Sequence, residues 1–447
     1  YILIIFVKIP MKNLNIFILA AGKGTRMNST LPKILHPIAG KPMVNHVIDQ
    51  AKKLNPKKIY LIANQELSRR NDFLLPNVEI VIQKNQNGTA DAIKSCMPHI
   101  KKLSGQALIL YADLPLIELN SMRKAIKDIG KKNMNLLTFI SDEKNSYGKV
   151  IFDNKGNVSE IIEQSELRKG EHHQVCNSGI FCCDIDILKK LIPKINNKTN
   201  KKKEYYLTDI FKLACQNNVI TKSILVNEDE FMGVNNKKEL AEAEYLAQSK
   251  LREKFLLKGV TLIDPETVYF SEDTKIDKDV VIYPNVFIGK NVKIGKGSKI
   301  LPFSHLEDCL LGKDVTIGPF ARLRPGADIK DKAKVGNFVE IKKSKIDKNS
   351  KVNHLTYIGD TEIGKDVNIG AGTITCNYDG KNKFKTIIAD GAFIGSNSSL
   401  IAPVKIGKNA YVGSGSAISK NIRENALGIE RTSQIEIKNW HRKMKKR

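Results

Sequence analysis

Aliphatic residues recur at every sixth position through a long C-terminal stretch of the chain. Ile276, Ile282, Ile288, Ile294 and Ile300 hold the spacing, and Leu306 continues it. After a one-residue slip come Leu311, Ile317, Leu323, Ile329, Val335 and Ile341, then Ile346, Val352, Ile358, Ile363 and Ile369. Beyond a gap the series returns at Ile388, Ile394, Leu400, Ile406, Val412 and Ile418. A period of six fits neither the 3.6 of a helix nor the 2 of a half-buried strand. It predicts a hexapeptide parallel β-helix, in which each hexad forms a short strand and a corner and the aliphatic side chain fills the bore. Three six-residue faces make a coil, so about 140 residues give roughly eight coils. Glycine often follows the aliphatic residue, as at Gly295, Gly312, Gly336 and Gly370, and suits a turn with positive φ. A β-sandwich with chance spacing would not keep so many hexads in step.

The first half of the chain has a different rhythm. Leu14–Ala20 is a continuous apolar run of the kind a buried parallel strand needs. Lys58–Ala63, Val78–Ile82, Ala107–Tyr111 and Asn135–Ile140 are further candidate strands, with helix-like Met43–Leu54 and Ala90–Met97 between them. That alternation predicts an α/β, Rossmann-like domain with a mostly parallel sheet, spanning residues 11–237. Residues 238–258 read as one linker helix with Leu240, Ala243, Ala247, Leu251 and Phe255 on a face. The all-β domain then runs over 259–447, and residues 1–10 precede a natural start at Met11.

Composition adds little to this division. With 447 residues the chain needs at least two cores, and 41% hydrophobic with 27% charged residues is ordinary for a soluble globular protein. The net charge of +26 comes mainly from lysines spread along the whole chain, with no nucleic-acid-binding motif beside them. A field of that sign attracts anionic phosphate substrates. The run Arg442–Arg447 reads as a basic tail. Seven cysteines without a C-x-x-C pair suit reduced thiols in a cytoplasmic protein. The apolar opening Tyr1–Val7 is too short to span a bilayer, so no integral membrane association is expected.

Candidate chemistry begins at the end of the first strand. Leu19, Ala20, Gly22, Gly24 and Arg26 form a small-residue loop whose backbone N–H groups can approach phosphate oxygens, and Lys33 adds a second cation. The loop is neither a P-loop nor a dinucleotide fingerprint. Asp113 follows the strand ending at Tyr111, where α/β domains bind ligands, and is a candidate Mg²⁺ ligand. In the solenoid, Arg322 and Arg324 share a corner and Lys342 lies one coil on, which calls for an anion such as a sugar phosphate. His354 lies just past the hexad at Val352, with Tyr357 three residues on. An imidazole suits the base that an amine attacking a thioester requires. The gap from Ala371 to Gly380 is expected to project as a loop. His305 alone beside His354 is too few for a three-His metal site.

The run L-A-A-G-x-G-T-R-M from Leu19 to Met27, followed by Leu31-Pro32-Lys33, resembles the sugar-1-phosphate nucleotidylyltransferase family. Joined to hexads carrying His354-Leu355-Thr356-Tyr357 and A-G-T-I-T-C-N-Y-D-G, it resembles a bacterial bifunctional family over roughly residues 11–440. Members of that family couple such a uridylyltransferase to a left-handed β-helical glucosamine-1-phosphate N-acetyltransferase. The resemblance implies that Leu19, Ala20 and Gly22 line UTP, Arg26 and Lys33 hold its phosphates, and Gln83, Gly88 and Thr89 read uracil. Tyr111 would line the same nucleotide site, Asp113 and Asn235 would hold Mg²⁺, and Gly148, Glu163 and Asn177 would contact the sugar. In the solenoid it implies His354 as general base and Arg324, Lys342, Tyr357 and Asn368 on the amino-sugar phosphate. Ala371, Asn377, Tyr378, Ser396, Ser414 and Arg431 would bind acetyl-CoA. It further implies a homotrimer formed through the solenoids. Four positions depart from the family pattern: Ala90-Asp91 in place of Gly-His, Ala112 in place of Gly, and Ser414 in place of Ala.

Two other readings stay open at this point. A monofunctional nucleotidylyltransferase with a regulatory solenoid would not need His354 together with Arg324, Lys342 and Tyr357. A non-catalytic trimeric scaffold would not need Arg26, Lys33 and Asp113.

Overall fold

The computed structural model describes residues 13–70, 77–141, 147–167, 173–197 and 203–441, so the stretches 1–10 and 442–447 lie outside the described residues. The chain forms two compact units, the first ending at Ala247 and the second beginning at Gln248.

The first unit is built on a mixed sheet in the order Ile220–Leu225, Asn133–Ile140, Val175–Asp184, Gln106–Tyr111, Leu14–Leu19, Lys58–Ala63, Glu79–Ile82. Leu14–Leu19 pairs in parallel with both neighbours. Its continuous apolar character has a simple cause, since both faces are covered. Ile16 and Ile18 pack with Val44, Val47 and Met122 from the helices of one side. Phe17 and Leu19 pack with Ile93, Leu188 and Phe211 from those of the other. Fully burying each such side chain contributes about 1.5–3 kcal/mol.

The strand Val175–Asp184 is antiparallel to both of its long neighbours and has no counterpart in the apolar pattern. Its polar centre, Asn177-Ser178-Gly179, hides it, and the register shifts between Asn177 and Phe181. The irregularity has a steric reason. Gly179 has φ 82°, and a Cβ there would lie 2.8 Å from the Tyr111 ring.

The helix Lys237–Leu257 begins on a reciprocal cap. Asn236 Oδ1 accepts from the Glu239 backbone N–H at 2.9 Å, and the Glu239 carboxylate accepts from the Asn235 N–H at 2.5 Å. The cap therefore fixes Asn235 as well as starting the helix. Ala243, Ala247, Leu251 and Phe255 are buried as their spacing predicts, and Leu240 is half-buried.

The second unit is a left-handed parallel β-helix of hexapeptide repeats, with three parallel sheets forming its faces. One column of inward residues runs Ile282, Ile300, Ile317, Val335, Val352, Ile369, Ile394, Val412 in strict register. Every aliphatic residue of the hexad series is at most 8% exposed, so the period of six reports the bore directly.

Two expectations need correction. Residues 371–376 do not project as a loop. Ile374–Cys376 is a strand of the coil, paired with the coils before and after it. Thr375, 1% exposed, takes the inward place opposite Leu400. A hydroxyl is tolerated there because it accepts from the Gly359 N–H at 2.8 Å. The excursion occupies the residues after it, where Tyr378 bridges to Lys383.

The glycines after the aliphatic residues are mostly not there for positive φ either. Gly295, Gly312, Gly336 and Gly370 have ordinary φ values. A Cβ on Gly295 would sit 2.5 Å from the Gly312 carbonyl oxygen in the next coil. These glycines let successive coils approach. Gly295→Ala is expected to destabilise the solenoid by about 1–3 kcal/mol, read as a lower urea midpoint. An unchanged midpoint would mean that the coils can spread at no cost.

Candidate active sites

In the first unit four residues far apart in sequence converge. Lys33 Nζ donates to Asp113 Oδ2 at 2.6 Å and to Asn235 Oδ1 at 2.8 Å. Arg26 donates to the same Asn235 oxygen at 2.9 Å. The arrangement is set by local structure. Gly24, at φ 61°, turns the loop into the short helix Thr25–Met27, and a Cβ on it would strike the Lys33 side chain. Asp113 follows the central strand, and its carbonyl accepts from the Val234 N–H at 3.1 Å. The two segments that present Asp113 and Asn235 are thus tied by backbone as well as by Lys33. Gly22, by contrast, faces open space, as the approach of a phosphate requires.

A second cluster adjoins the first. Tyr111 is half-buried, and desolvation, reinforced by the Glu163 and Asp113 charges, pushes its phenol well above the usual range. A hydrogen bond with Thr89 partly opposes the shift. Asn177 N–H donates to the Gly148 carbonyl at 2.8 Å, and Glu163 accepts from the Thr208 hydroxyl at 3.0 Å. A Cβ on Gly148 would lie 3.6 Å from the Glu163 carboxylate. The expected sugar contacts therefore share one wall. Gln83 lies buried at the end of Glu79–Ile82, and its amide N–H groups point to the Gly88 carbonyl, the Asn85 carbonyl and Asp91. Leu19 and Ala20 are buried at the base of the loop. The Gln86 side chain, bonded to the Ala21 carbonyl at 2.8 Å, ties the loop to residues 83–89.

In the solenoid the expected residues fall on two corners and one face. Arg324 and Lys342 follow Leu323 and Ile341, which pair in register. Lys383, which the sequence reading missed, closes on them from the excursion. Its hydrogen bond and charge, followed by burial and the Arg324 charge, hold the Lys342 ammonium pKa below its usual value. Part of the anion expected beside these cations is supplied by Glu340, which pairs with Arg324 at 2.7 Å and faces Arg322 at 3.9 Å. Asn377 donates to Asp360 at 2.5 Å. The Tyr357 hydroxyl and the Asn377 amide both border the bare α-carbon of Gly359.

His354 stands at the other corner. Its Nδ1 lies 2.6 Å from Asn337 Oδ1 in the preceding coil, and Asn337 and His354 are register partners. An amide oxygen at Nδ1 requires the proton there and leaves Nε2 as the free base. The same corner carries Ala371, Ser396 and Ser414 in later coils, since each lies two residues after one of the paired Ile369, Ile394 and Val412. Arg431 donates to the Ser414 carbonyl at 3.0 Å. Tyr378 is exposed on the excursion. Asn368 pairs with Lys351 and Phe393, in a different sheet from Tyr357. Within one chain it is therefore not gathered with Arg324 and Lys342.

Comparison with known proteins matches this division. Residues 16–168 match the MobA-like NTP transferase domain, and residues 385–420 match the bacterial transferase hexapeptide family. The bifunctional protein GlmU of Alcanivorax borkumensis is 44% identical over 97% of this chain and 100% of its own length. That of Paramagnetospirillum magneticum is 42% identical over 96% and 95%, and that of Saccharophagus degradans 44% over 97% and 100%. The chain belongs to the GlmU family. It is a bifunctional enzyme, with uridylyltransferase and acetyltransferase activities in one chain. The monofunctional and scaffold readings are thereby set aside. Among the described residues no helix is long and apolar enough to cross a membrane, and all seven cysteines are free.

Proposed function

We propose that the solenoid acetylates glucosamine 1-phosphate and that the first unit then joins the product to UTP, with the residues above in the following roles. The observation that carries the reading is the convergence of Arg26, Lys33, Asp113 and Asn235 in one unit and of Arg324, Lys342, Tyr357 and Asn377 in the other.

In the first reaction the sugar phosphate docks on Arg324, Lys342 and Lys383, which relieves the repulsion that now depresses the Lys342 pKa. The amine attacks the thioester carbonyl of acetyl-CoA. A C–N bond forms, the C–S bond breaks, and His354 Nε2 takes the amine proton and passes it to the departing thiolate, so that coenzyme A leaves as the thiol. Ala371, Asn377, Tyr378, Ser396, Ser414 and Arg431 line the path of the coenzyme.

In the second reaction a phosphate oxygen of N-acetylglucosamine 1-phosphate attacks the α-phosphorus of UTP and pyrophosphate departs. Arg26 and Lys33 neutralise the phosphates, while Gly148, Glu163 and Asn177 orient the sugar. The donor set fits Mg²⁺. Asp113 and Asn235 offer two oxygens that already share one cation, the Lys33 ammonium. When bound there, Mg²⁺ adds charge neutralisation at the phosphates.

Two features of the solenoid support a trimer. Phe303, Phe320 and Phe338 stack at 4.8 and 5.1 Å, each about half exposed, and Leu355 continues their line beside His354. All four hold positive φ, which is unfavourable for bulky residues. An apolar ridge kept at that cost, in a solenoid whose expected sugar-phosphate residues Asn368 and Tyr357 lie in different sheets, suits an interface between copies.

The test is a coupled assay with glucosamine 1-phosphate, acetyl-CoA, UTP and Mg²⁺. UDP-N-acetylglucosamine should form with release of thiol and pyrophosphate, from protein that sediments as three chains. Absence of thiol release would sink the acetyltransferase assignment.

A further inference from the structure

The side chain of Asp91 has a specific task in the structure. Asp91 Oδ2 accepts from Gln83 Nε2 at 2.8 Å. The Gly88 carbonyl, at 3.1 Å, and the Asn85 carbonyl, at 3.3 Å, face the same nitrogen. Three oxygen acceptors around one side-chain nitrogen leave a single way for the amide to be oriented. Both N–H groups of Gln83 are consumed, and the charged acceptor makes the shortest of the three bonds. Gln83 is 4% exposed, so the amide has no room to turn over and no water shell to make such a turn cheap. Among the described residues its Oε1 has no protein hydrogen-bond donor. The surrounding loop is held in place. Gly88, at φ 117°, fits against the Tyr205 backbone, where a Cβ would lie 2.5 Å from the carbonyl oxygen. Tyr205 N–H donates to Asn87 O at 2.8 Å, and Ala90 N–H donates to Tyr205 O at 2.9 Å.

We infer that Asp91 is a positioning residue for nucleobase selection: by claiming Gln83 Nε2 together with the Gly88 and Asn85 carbonyls, and as their only charged member, it leaves Gln83 Oε1 as a pure acceptor, so the subsite takes a pyrimidine with a ring N–H donor. Uracil carries that donor at N3. Cytosine presents a lone pair there and meets the Gln83 oxygen with repulsion. Specificity of this kind is strong because the wrong base leaves a buried polar atom unpaired. The inference rests on the proposal that Gln83 faces the base.

The experiment compares kcat/KM for UTP and CTP in the full-length enzyme and three variants, with acetyl transfer by the solenoid and the thermal midpoint as checks on folding. In Asp91→Ala the preference for UTP should fall about tenfold, chiefly through a higher KM for UTP. Asp91→Asn keeps an oxygen acceptor and should recover most of the preference, which a merely structural role would not require. A UTP preference within twofold of the unaltered enzyme in folded Asp91→Ala overturns the inference. Gln83→Ala separates the two levels. If the preference survives that change, the base does not face Gln83 and the subsite reading itself fails.

Discussion

His354→Ala protein is expected to lose acetyl transfer by about a hundredfold or more while making UDP-N-acetylglucosamine from N-acetylglucosamine 1-phosphate and UTP at the rate of the unaltered chain. The first half follows from position. His354 is exposed at a corner, its Nδ1 is engaged by Asn337 at 2.6 Å, and Nε2 is left as the acceptor. The cations that bind phosphate, Arg324, Lys342 and Lys383, are on the solenoid too, but they hold charge and cannot accept a proton from an attacking amine. Among the described residues no second imidazole is gathered with them. His305, the other histidine in the coils, stacks on Phe287 at 4.8 Å, and burial, with help from the Arg322 charge, lowers its pKa. The second half follows from the division of the chain. Arg26, Lys33, Asp113 and Asn235 all belong to the first compact unit. The substitution trims an exposed side chain and leaves the inward column at Val352 untouched, so the solenoid should stay folded. Thiol release and pyrophosphate release, measured separately, decide the matter. A parallel fall in both would mean that the two chemistries are not housed in separate units.

The fold was legible to the extent that burial has a period. The hexads could be read because each inward position is aliphatic and lies six residues from the next, and the bore confirms them one by one. Thr375 escaped because its hydroxyl is satisfied inside the coil, where a scan for apolar residues cannot see it. Val175–Asp184 escaped for the opposite reason, since its polar centre, Asn177-Ser178-Gly179, spoils the pattern. The glycines were visible, but their purpose was not. Conformational freedom and close approach leave the same letter in the sequence, and only the distance to the next coil separates them.

The sites show a similar limit. Lys33, Asp113 and Asn235 could be named one at a time, yet sequence spacing does not say that one ammonium bridges the other two. That depends on a helix cap at Asn236 and on a crossover in the sheet. Asp360 and Asn337 were missed because each acts through a neighbour, Lys383 because only the excursion brings it to Lys342, and Asp91 was seen only as a departure from the family pattern. Nothing about a lone Asp in an amphipathic helix signals that it turns a glutamine amide.

Asp113→Ala should give the reverse pattern, with pyrophosphate release falling by at least about a hundredfold and thiol release unchanged. Asp113 has two jobs in this geometry. Its carboxylate neutralises Lys33, whose side chain is only 11% exposed, and with Asn235 it supplies the oxygen pair assigned to Mg²⁺. Removal leaves Lys33 beside Arg26 with Asn235 as their shared partner, so the cations that should meet the triphosphate instead repel one another. The fold should survive, because the tie from the Val234 N–H runs to the backbone carbonyl of Asp113 and not to its side chain. Asp113→Asn sharpens the test. It keeps one oxygen and the shape but loses the charge, so it should retain more activity than the alanine variant and require a higher Mg²⁺ concentration for half its maximal rate. If the asparagine variant shows the Mg²⁺ dependence of the unaltered enzyme, Asp113 does not hold the metal and its role reduces to orienting Lys33. If the alanine variant still releases pyrophosphate at near the normal rate, the convergence of Lys33, Asp113 and Asn235 is not the nucleotidyl-transfer site.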